Sequence, residues 1–450
     1  MHKEHTLTEG PIVKGLLLFA LPVFLGNLFQ QFYNAFDSWC VGNFIGDNAL
    51  AAVSSSASLI FLMVGFFNGL AMGAGVILAR HYGAKDYAAL KQVMHTVVAF
   101  GLIVGVFLTV FGIVLTPIIL RWMGTPENVL PESISYFRYY FLGAIFTVMY
   151  NIFVGILHAV GDSKHPLYYL IISTFVNVVL DLLFVAVFGW GVWSAAVATT
   201  VSQGVSAVLC AIRLMRADEN YRLDIKKIRI HWPSLRVVIR FGLPSGIQNS
   251  VISLANVFVQ SNINSFGENA MAGCGSYSRL EGFAFLPVTC FAQGLSTFVG
   301  QNLGAEQYGR VKKGIVFGII CSCTMAACVG LISYIFAPQL IDFFADSQEA
   351  VDYGVRHMRT ICLFNALLAL SHCIAAVMRG AGRPLVPMVV MFACWCVLRV
   401  SYIAIALRFV YQLETVSFAY PITWTCSSII FCLYLWKGNW MYAFKKQKLA

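Results

Sequence analysis

The sequence predicts an all-α integral membrane protein of twelve transmembrane helices in two pseudo-symmetric six-helix lobes, and three observations predict it. Of its 450 residues, 59% are hydrophobic and 11% charged, with a mean hydropathy of +0.76. A water-exposed domain draws about 25% of its residues from Asp, Glu, Lys and Arg, so most of this chain's surface meets lipid. The apolar residues form twelve continuous runs, each near the roughly 20 residues that an α-helix needs to cross a bilayer. The second half of the chain also echoes the first at a nearly constant offset. Composition excludes a cytoplasmic enzyme, a secreted domain and a disordered regulator, and the continuity of the runs excludes an outer-membrane β-barrel of alternating strands.

The first run, 15–38, contains Pro22 and Gln30 with no Ala-x-Ala site after it, and reads as a helix rather than a cleaved signal peptide. The second, 50–79, carries the glycine cluster Gly69 to Gly75, which suits close helix packing. Runs 93–120, 136–158, 167–188 and 191–214 complete an N-lobe expected over residues 1–215. A basic segment over 216–234 is expected as a cytoplasmic linker. The C-lobe, 235–450, repeats the plan with runs at 235–262, 270–299, 313–340, 355–378, 385–407 and 414–436. Pro22, Pro244, Pro287 and Pro421 interrupt their runs, which membrane helices tolerate where neighbours satisfy the freed carbonyls. Bent helices are expected there.

Basic residues give the orientation. Assigning the N-terminus and alternate loops to one side collects 23 of the 30 Lys and Arg residues, so both termini are expected in the cytoplasm. The segment from Arg213 to Arg240 holds eight cations beside Asp218, Glu219 and Asp224. It reads as a topological anchor touching anionic lipid, and the net charge of +10 follows topology rather than nucleic acid. The 13 cysteines, with no Cys-x-x-Cys pair, read as small hydrophobes.

The repeat fixes the organisation. Phe19-Ala20-Leu21-Pro22 matches Phe241-Gly242-Leu243-Pro244 at an offset of 222, and Gly46-Asp47-Asn48-Ala49 matches Gly267-Glu268-Asn269-Ala270 at 221. Tyr82 to Tyr87 then aligns with Leu303 to Tyr308, and Gly161 and Pro166 with Gly382 and Pro387, again at 221. Six helices per half bring the second half in from the same side as the first, so the halves are expected to be related by an axis along the membrane normal. Parallel repeats of this kind occur in secondary transporters.

No nucleotide loop, zinc-protease helix, nucleophile elbow or potassium filter is present. No nucleotide partner and no cofactor are expected, so transport must run on an ion gradient or on the substrate's own. Ionisable residues inside the spans cost about 2.5–3.5 kcal/mol each at mid-membrane unless they face protein or water, which makes them the candidates. Asp37 in the first run follows Tyr33 by four residues and Asn34 by three, so all three are expected on one face. Asp181 in the fifth run follows Asn177 by four. Should the two helices adjoin, Asp37, Asn177 and Asp181 form a hard-ligand cage suited to Na⁺, or a carboxylate pair that takes up a proton.

By the offset, 37 maps onto Val259, and 177 and 181 onto Leu398 and Tyr402, so ion coupling is expected in the first half alone. The second half offers weaker candidates. Glu281 is either a snorkelling interfacial residue or a substrate-contacting acid. His372 is either a hydrogen-bonded core histidine or a proton relay, and Arg399 either a structural partner or a cavity residue.

These residues resemble the multidrug and toxic compound extrusion (MATE) family over essentially the whole chain. The likeness runs from Leu21-Pro22 with Asp37, through Arg80 to Lys85 and Asn177-x-x-x-Asp181, to Val299 to Ala305. The resemblance implies twelve helices in two lobes around a V-shaped cleft, and export of organic, often cationic, compounds in exchange for Na⁺ or H⁺. Asp37, Asn177 and Asp181 match the N-lobe cation site of the prokaryotic branch resembling DinF, and by position Asn151 and Thr199 are its remaining implied ligands. The seventh run lacks the acid that the NorM-like branch carries there, and His372 stands near the place of that branch's tenth-helix acid. The expected function is a cation-coupled exporter of amphiphilic compounds in the inner membrane, working as a monomer. The alternative is a flippase of lipid-linked precursors. It is disfavoured because pyrophosphate calls for several basic residues and Arg399 is read as the only arginine deep in a span.

Overall fold

A computed structural model describes residues 7–122, 125, 127–345 and 347–442, and the side chains of all of these except 47–64. Lys3, Lys445, Lys446 and Lys448, which count toward cytoplasmic termini, lie outside the described residues. Among the described residues every regular element is helical, and each apolar run becomes a helical stretch. The first half comprises α1 (Ile12–Phe44), α2 (Asp47–Gly83), α3 (Tyr87–Trp122), α4 (Leu130–Leu142 and Ala144–Ala159), α5 (Lys164–Val187) and α6 (Trp193–Met215). The second comprises α7 (Trp232–Asn264), α8 (Glu268–Gly304), α9 (Tyr308–Ile335), α10 (Gln348–Cys362 and Asn365–Gly380), α11 (Leu385–Ala406) and α12 (Leu413–Lys437). Among the described residues, eight of these are long and apolar enough to cross a membrane as they stand, and α4 and α10 qualify as bent pairs, with bends of 47° and 52°. Along one face α7 is polar instead, with Ser245, Gln248, Asn249, Ser253, Asn256, Gln260 and Asn264 one turn after another.

The bend in α4 falls at Gly143, whose amide bonds to Tyr140 and so leaves the Tyr139 carbonyl without its helical donor. Thr200 of α6 donates its hydroxyl to that carbonyl at 3.3 Å. A side chain at 143 would collide with Thr200, so glycine is what lets α6 come close enough to repair the break.

The chain divides into two compact units, but not at 215 and 235. One unit runs from Leu21 to Leu243, and the other joins Leu7–Ala20 to Pro244–Ala450. The basic segment 216–234 belongs to the first unit because it is pinned to α3. The amide of Asp224 donates to His95 Nε2 at 3.1 Å, and that of His231 to Thr96 Oγ1 at 3.2 Å. α1 changes unit between Ala20 and Leu21 and α7 between Leu243 and Pro244, beside the repeat-related Leu21-Pro22 and Leu243-Pro244. In the first unit Gly73 of α2 packs on the backbone of Phe241 and Gly242, and in the second Gly294 of α8 packs on Phe19, the counterpart of Phe241. These contacts map onto each other under the repeat.

Packing inside the two units also corresponds. α4 is central to the first, touching α2, α3 and α6, while α5 lies on α6. α10 is likewise central to the second, touching α8, α9 and α12, while α11 lies on α12.

Candidate functional site

In the first unit the sequence places a buried pair on each of two helices. Tyr33 and Asp37, one turn apart on α1, are 6% and 8% exposed, and Asn177 and Asp181, one turn apart on α5, are fully buried. The aspartates lie close enough to act on each other electrostatically. α6, packed on α5, brings Thr199 and Ser202 beside the Tyr33 hydroxyl. The first part of α4 contributes Tyr136 and Tyr140, both near Asp37. Asp181 is also the last residue before the π-helical segment Leu182–Val187, a widened turn of the kind that recurs at functional sites.

The polar atoms of this cluster are under-satisfied. No hydrogen bond of good geometry reaches the Tyr33 hydroxyl, Asp37 Oδ1, either side-chain polar atom of Asn177, either carboxylate oxygen of Asp181 or Thr199 Oγ1, all of them buried. Each such atom costs about 1–3 kcal/mol, and among the described residues neither aspartate has a cation in an ion pair. The arrangement offers almost only oxygen, with two carboxylates. Among the described residues no group of three or more His, Cys, Asp or Glu side chains is placed to hold a metal ion. Such a set suits one hard monovalent cation or a shared proton rather than a transition metal.

One expected member stands apart. Asn34 is exposed and accepts from Gln30 at 3.5 Å, so the expectation of one shared face is corrected. Three residues turn a helix by about 300° and four by about 400°, which sets Asn34 and Tyr33 on opposite flanks of Asp37, and only Tyr33's flank is covered. Asn151 donates to the Thr147 carbonyl one turn earlier at 2.8 Å, and lines an apolar pocket with Phe67, Leu70, Phe100 and Phe141.

In the second unit Arg399 and His372 both meet Trp395, and Glu281 lies within electrostatic reach of Arg399. Arg399 is 1% exposed and directly follows the other π-helical segment, Phe392–Leu398. It donates to Asn256 Oδ1 and to Thr423 Oγ1, each at 3.1 Å. Its guanidinium lies over the rings of Tyr420 at 4.6 Å and Trp395 at 5.3 Å. The ring of His372 meets that of Trp395 at 5.4 Å, and its buried Nε2 has no hydrogen-bond partner. Glu281 feels the charge of Arg399 without forming an ion pair to it. Arg399 is not the only buried arginine among the described residues. Arg379, 8% exposed near the end of α10, donates to Gln248 at 3.4 Å.

Residues missed in the sequence were reachable through the repeat. At an offset of 221 Tyr136 corresponds to His357, Thr199 to Tyr420 and Ser202 to Thr423, so the two clusters occupy equivalent places on equivalent helices. One is acidic, and the other is built on an arginine.

Residues 22–183 and 244–405 each match the MatE family, beginning at the paired prolines. The chain is 31% identical over 397 residues to "Probable multidrug resistance protein YoeA" of Bacillus subtilis, covering 86% of both chains. It is 27% identical over 440 residues to "Probable multidrug resistance protein YpnP" of the same organism, covering 97% of this chain and 98% of the relative. Its fold matches an outward-facing structure of a multidrug resistance MATE family transporter of the MOP superfamily with a TM-score of 0.91, at 24% identity over 99% of both chains. A tandem family match over most of the chain, with a relative 31% identical over 86% of it, shows the family: the chain belongs to the MatE family of membrane transporters.

Proposed function

We propose that the chain is a secondary active exporter of amphiphilic, often cationic, organic compounds, driven by exchange for Na⁺ or H⁺ at the Asp37–Asp181 cluster. The observation that carries this reading is the burial of two carboxylates with an amide and hydroxyls whose polar atoms lack hydrogen bonds. The names of the relatives, multidrug resistance proteins, support the substrate class. Uptake of a cation or proton neutralises the buried charge, and Pro22 gives α1 a weak point because it removes one backbone hydrogen bond. A changed bend in α1 then accompanies release of the substrate. Exchange requires that ion and substrate oppose one another's binding, and that coupling acts in both directions.

The chain works as a monomer in the inner membrane with both termini in the cytoplasm, and Arg213 to Arg240 meets anionic lipid headgroups there. It uses no nucleotide and no cofactor. Efflux of an organic cation from reconstituted vesicles, with Na⁺ and pH gradients imposed separately, tests the proposal. Transport indifferent to both gradients would refute it.

A further inference from the structure

Arg399 holds a buried charge in the second unit that no ion pair among the described residues neutralises. A guanidinium has five N–H donors. Here it meets two neutral oxygens and two aromatic faces, while its buried Nε has no hydrogen-bond partner. Buried charges are ordinarily paired, yet among the described residues no carboxylate lies within ion-pair distance of this one. The nearest acid, Glu281, is half-buried and stands off. The cluster is not sealed, because Asn256 is exposed and Tyr420 half-buried. A planar donor set between the rings of Trp395 and Tyr420 matches a carboxylate on an aromatic body, since the carboxylate takes the N–H groups and the rings take the apolar surface.

We propose that Arg399, with Asn256, Thr423, Trp395 and Tyr420 around it, binds a carboxylate carried by the transported molecule, and that Glu281 is the resident counter-charge competing for the same guanidinium. The second unit thus adds zwitterionic and acidic amphiphiles to the substrates. This rests on the reading of the chain as an exporter of amphiphiles, but not on the coupling ion. An acidic first cluster and a basic second one, at equivalent places in the repeat, then answer opposite charges.

Rhodamine B and its ethyl ester differ in a single free carboxylate and make the test. Fluorescence polarisation with the purified full chain in detergent, without any gradient, reads their affinities. The native protein should favour rhodamine B. Arg399→Gln should weaken rhodamine B about tenfold while leaving the ester within about twofold, with Arg399→Lys in between, and Glu281→Gln should tighten rhodamine B alone. Equal loss of both dyes in Arg399→Gln assigns the arginine a structural role and overturns the proposal, as does an unchanged ratio. If Arg399→Gln does not fold, Glu281→Gln still decides, because an unchanged rhodamine B affinity removes the competition. Failure of the native chain to bind either dye overturns the exporter reading instead.

Discussion

Lys85 and Glu306, 221 positions apart, share a left-handed backbone, with φ of 57° and 58°, and are the non-glycine described residues with positive φ. Each closes the turn after the second helix of its half. The amides of Ala84, Lys85 and Asp86 bond to the carbonyls of Arg80, Tyr82 and His81, and those of Ala305, Glu306 and Gln307 bond to Gln301, Leu303 and Asn302 in the same pattern. Gly161 and Gly382, at φ 91° and 79°, repeat the relation after α4 and α10.

An L-residue in the left-handed region costs about 1–2 kcal/mol. Lys85→Gly and Glu306→Gly are therefore expected to raise stability by about 0.5–1 kcal/mol, and Lys85→Val to lower it by about 1 kcal/mol or more. Thermal unfolding of the purified variants in detergent checks this. A destabilised glycine variant at either turn would show that the side chain matters more than the backbone.

Gly73 leaves no room for a methyl group, because its Cβ would overlap the backbone of Gly242. Gly73→Ala is expected to cost about 2–3 kcal/mol, as overpacking against backbone does. Gly275, inside α8 with nothing within 4 Å of an added Cβ, is the control. Gly275→Ala should be neutral or stabilise by up to about 1 kcal/mol. Parallel melting curves that do not separate the two would contradict the close approach of α2 and α7.

Asp37→Asn and Asp181→Asn should each abolish gradient-driven efflux while leaving expression and folding intact, since an amide keeps the shape and removes the charge. If the two carboxylates serve one occupant, the double variant should transport no worse than either single one. Vesicle assays under imposed Na⁺ and proton gradients measure this. Normal coupled transport by both single variants would remove the site.

Asp162, in the turn before α5, accepts from the amide and ring Nδ1 of His165 at 3.2 and 2.7 Å and from Arg213 of α6 at 3.4 Å. Burial pushes its carboxyl up, but the His165 hydrogen bonds and the Arg213 charge outweigh that and hold it below the ordinary aspartate value. A lowered value means that the stabilisation is complete above the ordinary aspartate range and is lost as pH falls through the folded value. Asp162→Ala should cost about 1 kcal/mol near neutral pH, and the gap to the native protein should close below about pH 4. Melting curves across pH follow it, and a gap that persists well below the ordinary aspartate value would reverse the assignment.

The sequence by itself determined the twelve helices, their lipid setting and the two-fold repeat, because length, apolar content and offset are local properties of the chain. It also determined the vertical pairs Tyr33–Asp37 and Asn177–Asp181, since four residues nearly complete a turn. Only the tertiary structure decided which flank of Asp37 is covered, leaving Asn34 outside. It decided that α1 and α7 change unit beside their prolines, and that Arg399 and His372 meet at Trp395 with Glu281 in reach of the guanidinium. Whether side chains far apart in sequence meet depends on the rotation, bend and register of packed helices. Those are fixed by close contacts such as Gly73 on Gly242 and by the π-helical turns beside Asp181 and Arg399, neither of which hydrophobic periodicity encodes.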